Sequence, residues 1–240
     1  MLKLIRRLES RALLLVIGAA GALWAFFNIA SEVGEGETLA FDRRILLALR
    51  TPGNLADPIG SRSFEEAMRD VTALGGFTVV TLVTIVGVIV FLIHRRWRHA
   101  AIMAATVLLA EISSEGLKHL YGRPRPDLVP HGAYVYSASF PSGHSTLSAA
   151  TFFTLAMLIA SLEAHRAAKV MAYVLAGVLV FSIGASRVYL GVHWPSDVLA
   201  GWCLGAAWAL VGWLALARVR KSGDIVGEPA ETPKAVSPKP

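Results

Sequence analysis

The chain has 240 residues, 55% of them hydrophobic and 17% charged, with a formal net charge of +6. An average soluble domain is about 25% charged; here the charges are fewer and clustered, which excludes an ordinary soluble globule and, over most of the length, disorder. The single cysteine, Cys203, excludes an internal disulfide and a cysteine-cluster metal site.

The basic residues mostly flank apolar runs, which is a membrane pattern and argues against nucleic acid as a partner. A bilayer-spanning helix needs about 20 apolar residues. The first such run is Ala12 to Ser31, free of Asp, Glu, Lys and Arg. It is long for a signal peptide and is followed by no clear small-residue cleavage site, so it reads as a retained span. Residues 32–70 form a long loop with acidic residues in excess. Within it, Leu39 to Leu49 reads as a helix lying on the membrane surface. The second span is Val71 to Ile93, and the third runs from Ala100 through Glu111 and Glu115 to Lys118. The stretch from Ser145 to Leu162, Val170 to Ser186, and Val198 to Ala217 supply three more. The expected fold is all-α, a polytopic bundle of six transmembrane helices. Residues 1–99 carry two spans and the loop, 100–217 a core, and 218–240 a disordered cytoplasmic tail rich in proline and charge.

Lys and Arg crowd the N-terminus (Lys3, Arg6, Arg7, Arg11), the links at Arg95, Arg96, Arg98 and at Arg166, Lys169, and the end at Arg218, Arg220, Lys221. Six spans put all four groups on one side, which the positive-inside rule makes the cytoplasm. Both termini are then cytoplasmic, and the intervening loops face outward.

Three polar clusters fall on that outer side. The first runs from Lys118 to Arg123-Pro-Arg125-Pro126. Proline after each arginine favours extended backbone and pre-places two guanidinium forks suited to phosphate. Taken alone, the cluster also fits a basic membrane-edge anchor. The second is Pro141-Ser142-Gly143-His144, a turn entering a helix whose free N–H groups form an anion site; alone it also fits a plain helix start. The third runs from Ser186-Arg187 through His193 to Asp197. A carboxylate four residues after a histidine can hold one ring nitrogen and leave the other as a nucleophile; alone it also fits a helix cap. Ionisable groups at membrane depth are functional candidates. Three cations, two histidines and a carboxylate on one face form a set that chance rarely assembles.

The combined pattern K-x6-R-P, P-S-G-H and S-R-x5-H-x3-D resembles the type-2 phosphatidic acid phosphatase family, which shares its site with vanadium haloperoxidases. Every position matches, over about residues 100 to 217, and the six-span layout resembles bacterial membrane lipid phosphatases. The resemblance implies that His193 is the nucleophile, that Asp197 orients it, and that His144 is the general acid. It implies that Lys118, Arg125, Arg187, Ser142 and Gly143 bind phosphate, with no metal and no cofactor. Arg123 lies outside the matched positions and reads as a neighbour of the lipid headgroup. The implied activity is hydrolysis of a lipid phosphate ester or diphosphate, such as phosphatidic acid, phosphatidylglycerophosphate or undecaprenyl diphosphate. The reaction passes through a phosphohistidine at the outer face of the cytoplasmic membrane. The alternatives are a lipid phosphotransferase of the same family and a non-enzymatic transporter or lipid-binding protein.

Overall fold

The computed structural model describes residues 2–131 and 137–226, with side chains described for 13–131 and 137–218. Among the described residues the chain forms eight helices: α1 (Leu2–Glu35), α2 (Leu39–Ala48), α3 (Arg62–Ala73), α4 (Phe77–Ile93), α5 (Trp97–Tyr121), α6 (Gly143–Leu162), α7 (Arg166–Tyr189) and α8 (Pro195–Val226). A short antiparallel hairpin, β1 (Arg50–Thr51) with β2 (Asn54–Pro58), joins α2 to α3. It turns at Pro52-Gly53, where Gly53 adopts φ +84°, a conformation glycine adopts without steric cost.

Among the described residues, five helices are long and apolar enough to cross a membrane: Leu13–Glu35, Trp97–Tyr121, Gly143–Leu162, Arg166–Tyr189 and Pro195–Arg218. The second expected span, Val71 to Ile93, is not one helix. α3 and α4 meet at a 49° bend. Gly75 and Gly76 occupy the break, where two poor helix formers make interruption cheap. The break is packed: a Cβ on Gly75 would lie 2.4 Å from Ile183 Cγ2 of α7 and 3.3 Å from the His144 carbonyl of α6.

α6 is the central helix, contacting α5, α7 and α8, while α1 packs on α8 and α3 on α7. α8 and α6 approach one another closely. A Cβ on Gly201 would lie 2.7 Å from the Ser142 carbonyl, and one on Gly205 2.3 Å from that of Thr146. Between apolar helices, with no hydrophobic gain to be had from lipid, such small-residue seams supply packing. This seam draws the start of α8 against the start of α6.

The surface helix expected at Leu39 to Leu49 is present as α2, but it is no free membrane-surface element. Asp42 and Leu46, one turn apart, are fully buried, and Leu46 joins an apolar cluster with Val129, Val188, Trp194 and Val198. α8 continues helically to Val226, beyond the boundary expected at 217. The rest of the expected tail, residues 227–240, lies outside the described residues.

Candidate active site

The three polar clusters meet at one end of the bundle, where α5 and α7 finish and α6 and α8 begin. The turn between α7 and α8 carries His193. It reverses at Gly191, with φ +71°, and a Cβ there would lie 2.5 Å from Val129 and 2.9 Å from an Arg50 nitrogen. Arg50 donates to the Tyr189 carbonyl at 2.9 Å and so holds the last turn of α7. Pro195 opens α8 at a position where its missing N–H costs nothing. Asp197 then falls in the first turn, with Oδ2 3.5 Å from His193 Nδ1.

Asp197 is held on several sides. Oδ1 accepts from Arg123 at 2.5 Å. Oδ2 accepts from Ser139 Oγ at 2.5 Å and from the Trp194 backbone N–H at 2.9 Å. Ser139 Oγ also stands 3.4 Å from His193 Nδ1. On the far side of the ring, an Arg125 nitrogen lies 3.1 Å from Nε2. A guanidinium can only donate, so the Nε2 facing it presents a lone pair, and Nδ1 carries the proton toward Ser139 and Asp197. Burial first, then the positive Arg187, Arg125 and Lys118, hold the His193 imidazole well below its usual pKa range. The 3.5 Å contact therefore sets the Nδ1 side of the imidazole against the Asp197 carboxylate, while the Nε2 lone pair faces Arg125, an arrangement with the chemistry a nucleophile needs.

Three cations act on this imidazole, Arg125 in direct contact and Arg187 and Lys118 through their charge. Arg125 is steered by the Val192 carbonyl at 2.7 Å and the Ser137 carbonyl at 2.9 Å. Arg187, in the last turn of α7, donates to Thr72 Oγ1 of α3 at 2.9 Å, and its buried Nε has no partner among the described residues. Lys118 pairs with Glu115 one turn earlier on α5. Its ammonium lies against the start of α6, 3.0 Å from where a Gly143 Cβ would be. Ser142 is the N-cap of α6, and its Oγ accepts from the Ser145 amide at 3.4 Å and the Ser145 hydroxyl at 3.1 Å. Its own hydroxyl hydrogen is left for another acceptor. His144 follows, with the Gly75-Gly76 break packed against it. It lies within electrostatic reach of Arg187, His193, Lys118 and Arg125. The arrangement is chemically suited to an anion: three cations, a helix N-terminus and two imidazoles at one end of the bundle.

All eight residues singled out from the sequence thus cluster at this end of the bundle. The reading of Arg123 needs correction. It is buried, not a headgroup neighbour. One nitrogen bonds Asp197 and Ser196 Oγ (2.8 Å), and the other bonds Asp42 Oδ2 (2.8 Å) and Thr38 Oγ1 (3.1 Å). Its guanidinium also lies 5.7 Å from the Trp194 ring centroid. Ser139, Asp42 and Thr72 were not anticipated. None sits in a recognisable spacing, because each reaches the site from a distant part of the chain.

Comparison with known proteins follows the same lines. The PAP2 superfamily model matches residues 97–221. Phosphatidylglycerophosphatase B of Bacillus subtilis (strain 168) is 36% identical over 142 residues, covering 58% of this chain and 69% of the relative. Lipid A 1-phosphatase of Rhizobium johnstonii is 33% identical over 122 residues, 47% of this chain and 46% of the relative. Undecaprenyl-diphosphatase of Sulfolobus acidocaldarius is 31% identical over 121 residues, 48% of this chain and 54% of the relative. The chain thus spans about half the length of these last two. The crystal structure of a transmembrane PAP2 type phosphatidylglycerolphosphate phosphatase from Bacillus subtilis superposes with a TM-score of 0.70 at 27% identity, covering 89% of this chain and 98% of that one.

Proposed function

The chain belongs to the PAP2 superfamily and is a membrane lipid phosphatase; from that premise we propose that it removes phosphate from a lipid phosphate ester or diphosphate through a phosphohistidine at His193. The observation that carries the proposal is the pairing of a neutral His193, oriented through Nδ1 by Asp197, with an Nε2 lone pair facing the cation cluster. Arg125, now on that lone pair, turns its N–H groups to the phosphate oxygens when substrate enters. Lys118, Arg187, Ser142 and the Gly143 amide take the remaining oxygens. Phosphoryl transfer asks mainly for positioning and for charge opposite the equatorial oxygens, and three fixed cations supply both.

In the first step Nε2 forms the P–N bond, the bond from phosphorus to the lipid oxygen breaks, and His144 gives its proton to that oxygen. In the second, His144 takes a proton from water as the water oxygen attacks phosphorus, and the P–N bond breaks to release inorganic phosphate. Asp197 keeps the Nδ1 proton throughout and stabilises the charge the ring acquires.

The substrate class follows the relatives, whose names place phosphate on phosphatidylglycerol, lipid A and undecaprenyl phosphate. Purified protein should release inorganic phosphate from at least one of phosphatidylglycerophosphate, phosphatidic acid and undecaprenyl diphosphate, and His193→Ala should release none. No release from any of them contradicts the proposal. The Lys/Arg distribution further supports cytoplasmic termini and a site on the outer face of the cytoplasmic membrane. A reporter that is active only outside the membrane, fused after Lys221, should be silent; a strong signal contradicts this orientation.

A further inference from the structure

We infer that Asp42 and Arg123 are positioning residues for the reaction, a charged bridge by which α2 sets the orientation of Asp197. The inference rests on the role proposed above for the His193–Asp197 pair.

Arg123 stands between two buried carboxylates and serves each with a different nitrogen. One is 2.5 Å from Asp197 Oδ1, the other 2.8 Å from Asp42 Oδ2. Neither carboxylate is exposed to solvent. Asp42 spends its other oxygen on the first turn of α8: Oδ1 accepts from the Ser196 backbone N–H at 2.9 Å, and Oδ2 also accepts from Ser196 Oγ at 2.6 Å. Asp42 thus grips both the guanidinium that holds Asp197 and the backbone one residue before Asp197.

The geometry explains the division of labour on Asp197. With Oδ1 fixed by Arg123, the carboxylate plane is set, and Oδ2 is turned toward His193 Nδ1. Without a second carboxylate, Arg123 would face Asp197 alone and compete with the imidazole for it. Asp42 takes up that second valence. A planar fork of fixed N–H groups bridges two carboxylates at a set separation and angle, whereas an ammonium on a flexible stem fixes neither. Asp42 lies outside the segment matched by the superfamily model, residues 97–221, so the bridge ties the N-terminal part of the chain to the chemistry.

The consequence is a loss confined to turnover. A misplacement of about 1 Å by a group away from the reacting atoms can cost about 100-fold in rate. Asp42→Asn keeps the size of the side chain and its acceptor for the Ser196 amide, but it turns an amide N–H₂ or a neutral oxygen to Arg123. Arg123→Lys keeps the charge and loses the fork. Both should lower kcat by about 10- to 100-fold and leave KM within about twofold, because neither touches the bound phosphate. If the two act as one unit, the Asp42→Asn/Arg123→Lys double variant should fall within about threefold of the worse single variant.

The measurement is steady-state kinetics of the full-length protein on phosphatidic acid in mixed micelles, using the monodisperse fraction from gel filtration so that turnover refers to folded enzyme. Unchanged kcat in both single variants overturns the inference. So do losses that appear in KM, or losses that multiply in the double variant. If one variant yields no folded fraction, the kcat and KM of the other decide alone. The wild-type protein is assayed in parallel for phosphate trapped on His193. Failure to trap it there counts against the phosphohistidine proposal, whereas the bridge stands or falls on the ratios of kcat.

Discussion

Lys118 and Gly143 meet where the end of α5 touches the start of α6: a Cβ on Gly143 would lie 3.0 Å from the lysine ammonium. The glycine is there for closeness, since its conformation is ordinary and helical. On the proposed function, this closeness would let a cation and the first free amides of a helix share the substrate phosphate. Gly143→Ala should leave stability nearly unchanged, because the obstructing atom is the mobile tip of a lysine and alanine is the better helix former. Activity should still suffer. The methyl group displaces the ammonium and occupies the approach to the amide, so kcat/KM should drop by about tenfold or more, a loss of about 1.4 kcal/mol in transition-state stabilisation. Gly201→Ala is the contrast, since its Cβ would strike the Ser142 carbonyl at 2.7 Å. That change should lower the thermal midpoint, at an overpacking cost of about 1–3 kcal/mol. Parallel kinetics and melting curves separate the two, and equal melting losses would count against this account of Gly143.

His193 should leave a mark on stability against pH. Its folded pKa is depressed, so below about 6.5 the unfolded chain takes up a proton that the folded chain refuses. The group therefore supports folding above that pH, and the support drains away as pH falls below it. The limiting slope for one proton is about 1.4 kcal/mol per pH unit. Between pH 7 and pH 5, His193→Gln should lose less stability than the wild type, whatever its absolute midpoint. Chemical denaturation in detergent at several pH values checks this, and identical pH profiles would show that His193 is not held neutral.

Glu115 and Lys118 form an ion pair between half-exposed and buried partners. Keeping an ammonium at membrane depth is expensive, and a carboxylate one turn away reduces that cost. Glu115→Gln should therefore weaken the placement of Lys118 and lower kcat/KM severalfold, with the effect growing at low ionic strength, where the unpaired charge is least screened. Unchanged kinetics and unchanged expression would remove Glu115 from the account.

Much of this site could be read from the sequence because its parts are local. His193 and Asp197 lie one helical turn apart, Ser142 and Gly143 mark a helix start, and Lys118 shares a face with Glu115. The spans were legible for the same reason, as uncharged runs. What escaped was contact at long range. Ser139 reaches Asp197 across 58 residues, Thr72 reaches Arg187 across 115, and Asp42 reaches Ser196 across 154. Nothing near Asp42 in the chain distinguishes it from an acid on an exposed helix. Arg123 was read as a headgroup neighbour because Arg125 already satisfied the motif, and no spacing announces its partner Asp42, 81 residues away. The bend between α3 and α4 was hidden within an apolar run, although Gly75-Gly76 is a visible breaker pair.

The central claim is that phosphate passes through Nε2 of His193, with His144 moving the proton. General acid catalysis contributes about 10²–10⁴-fold where the leaving oxygen is basic and little where it is not. The decisive measurement is rapid quenching into alkali, which preserves phosphohistidine, of wild type, His144→Ala and His193→Ala with nitrophenyl phosphate, followed by mass mapping of the modified residue. Phosphate should be found on His193 in the wild type and in greater amount in His144→Ala, because hydrolysis of the phosphohistidine, in which His144 takes the proton from water, slows; none should be found in His193→Ala. Phosphate on His144, or turnover by His193→Ala comparable to the wild type, would contradict the assignment.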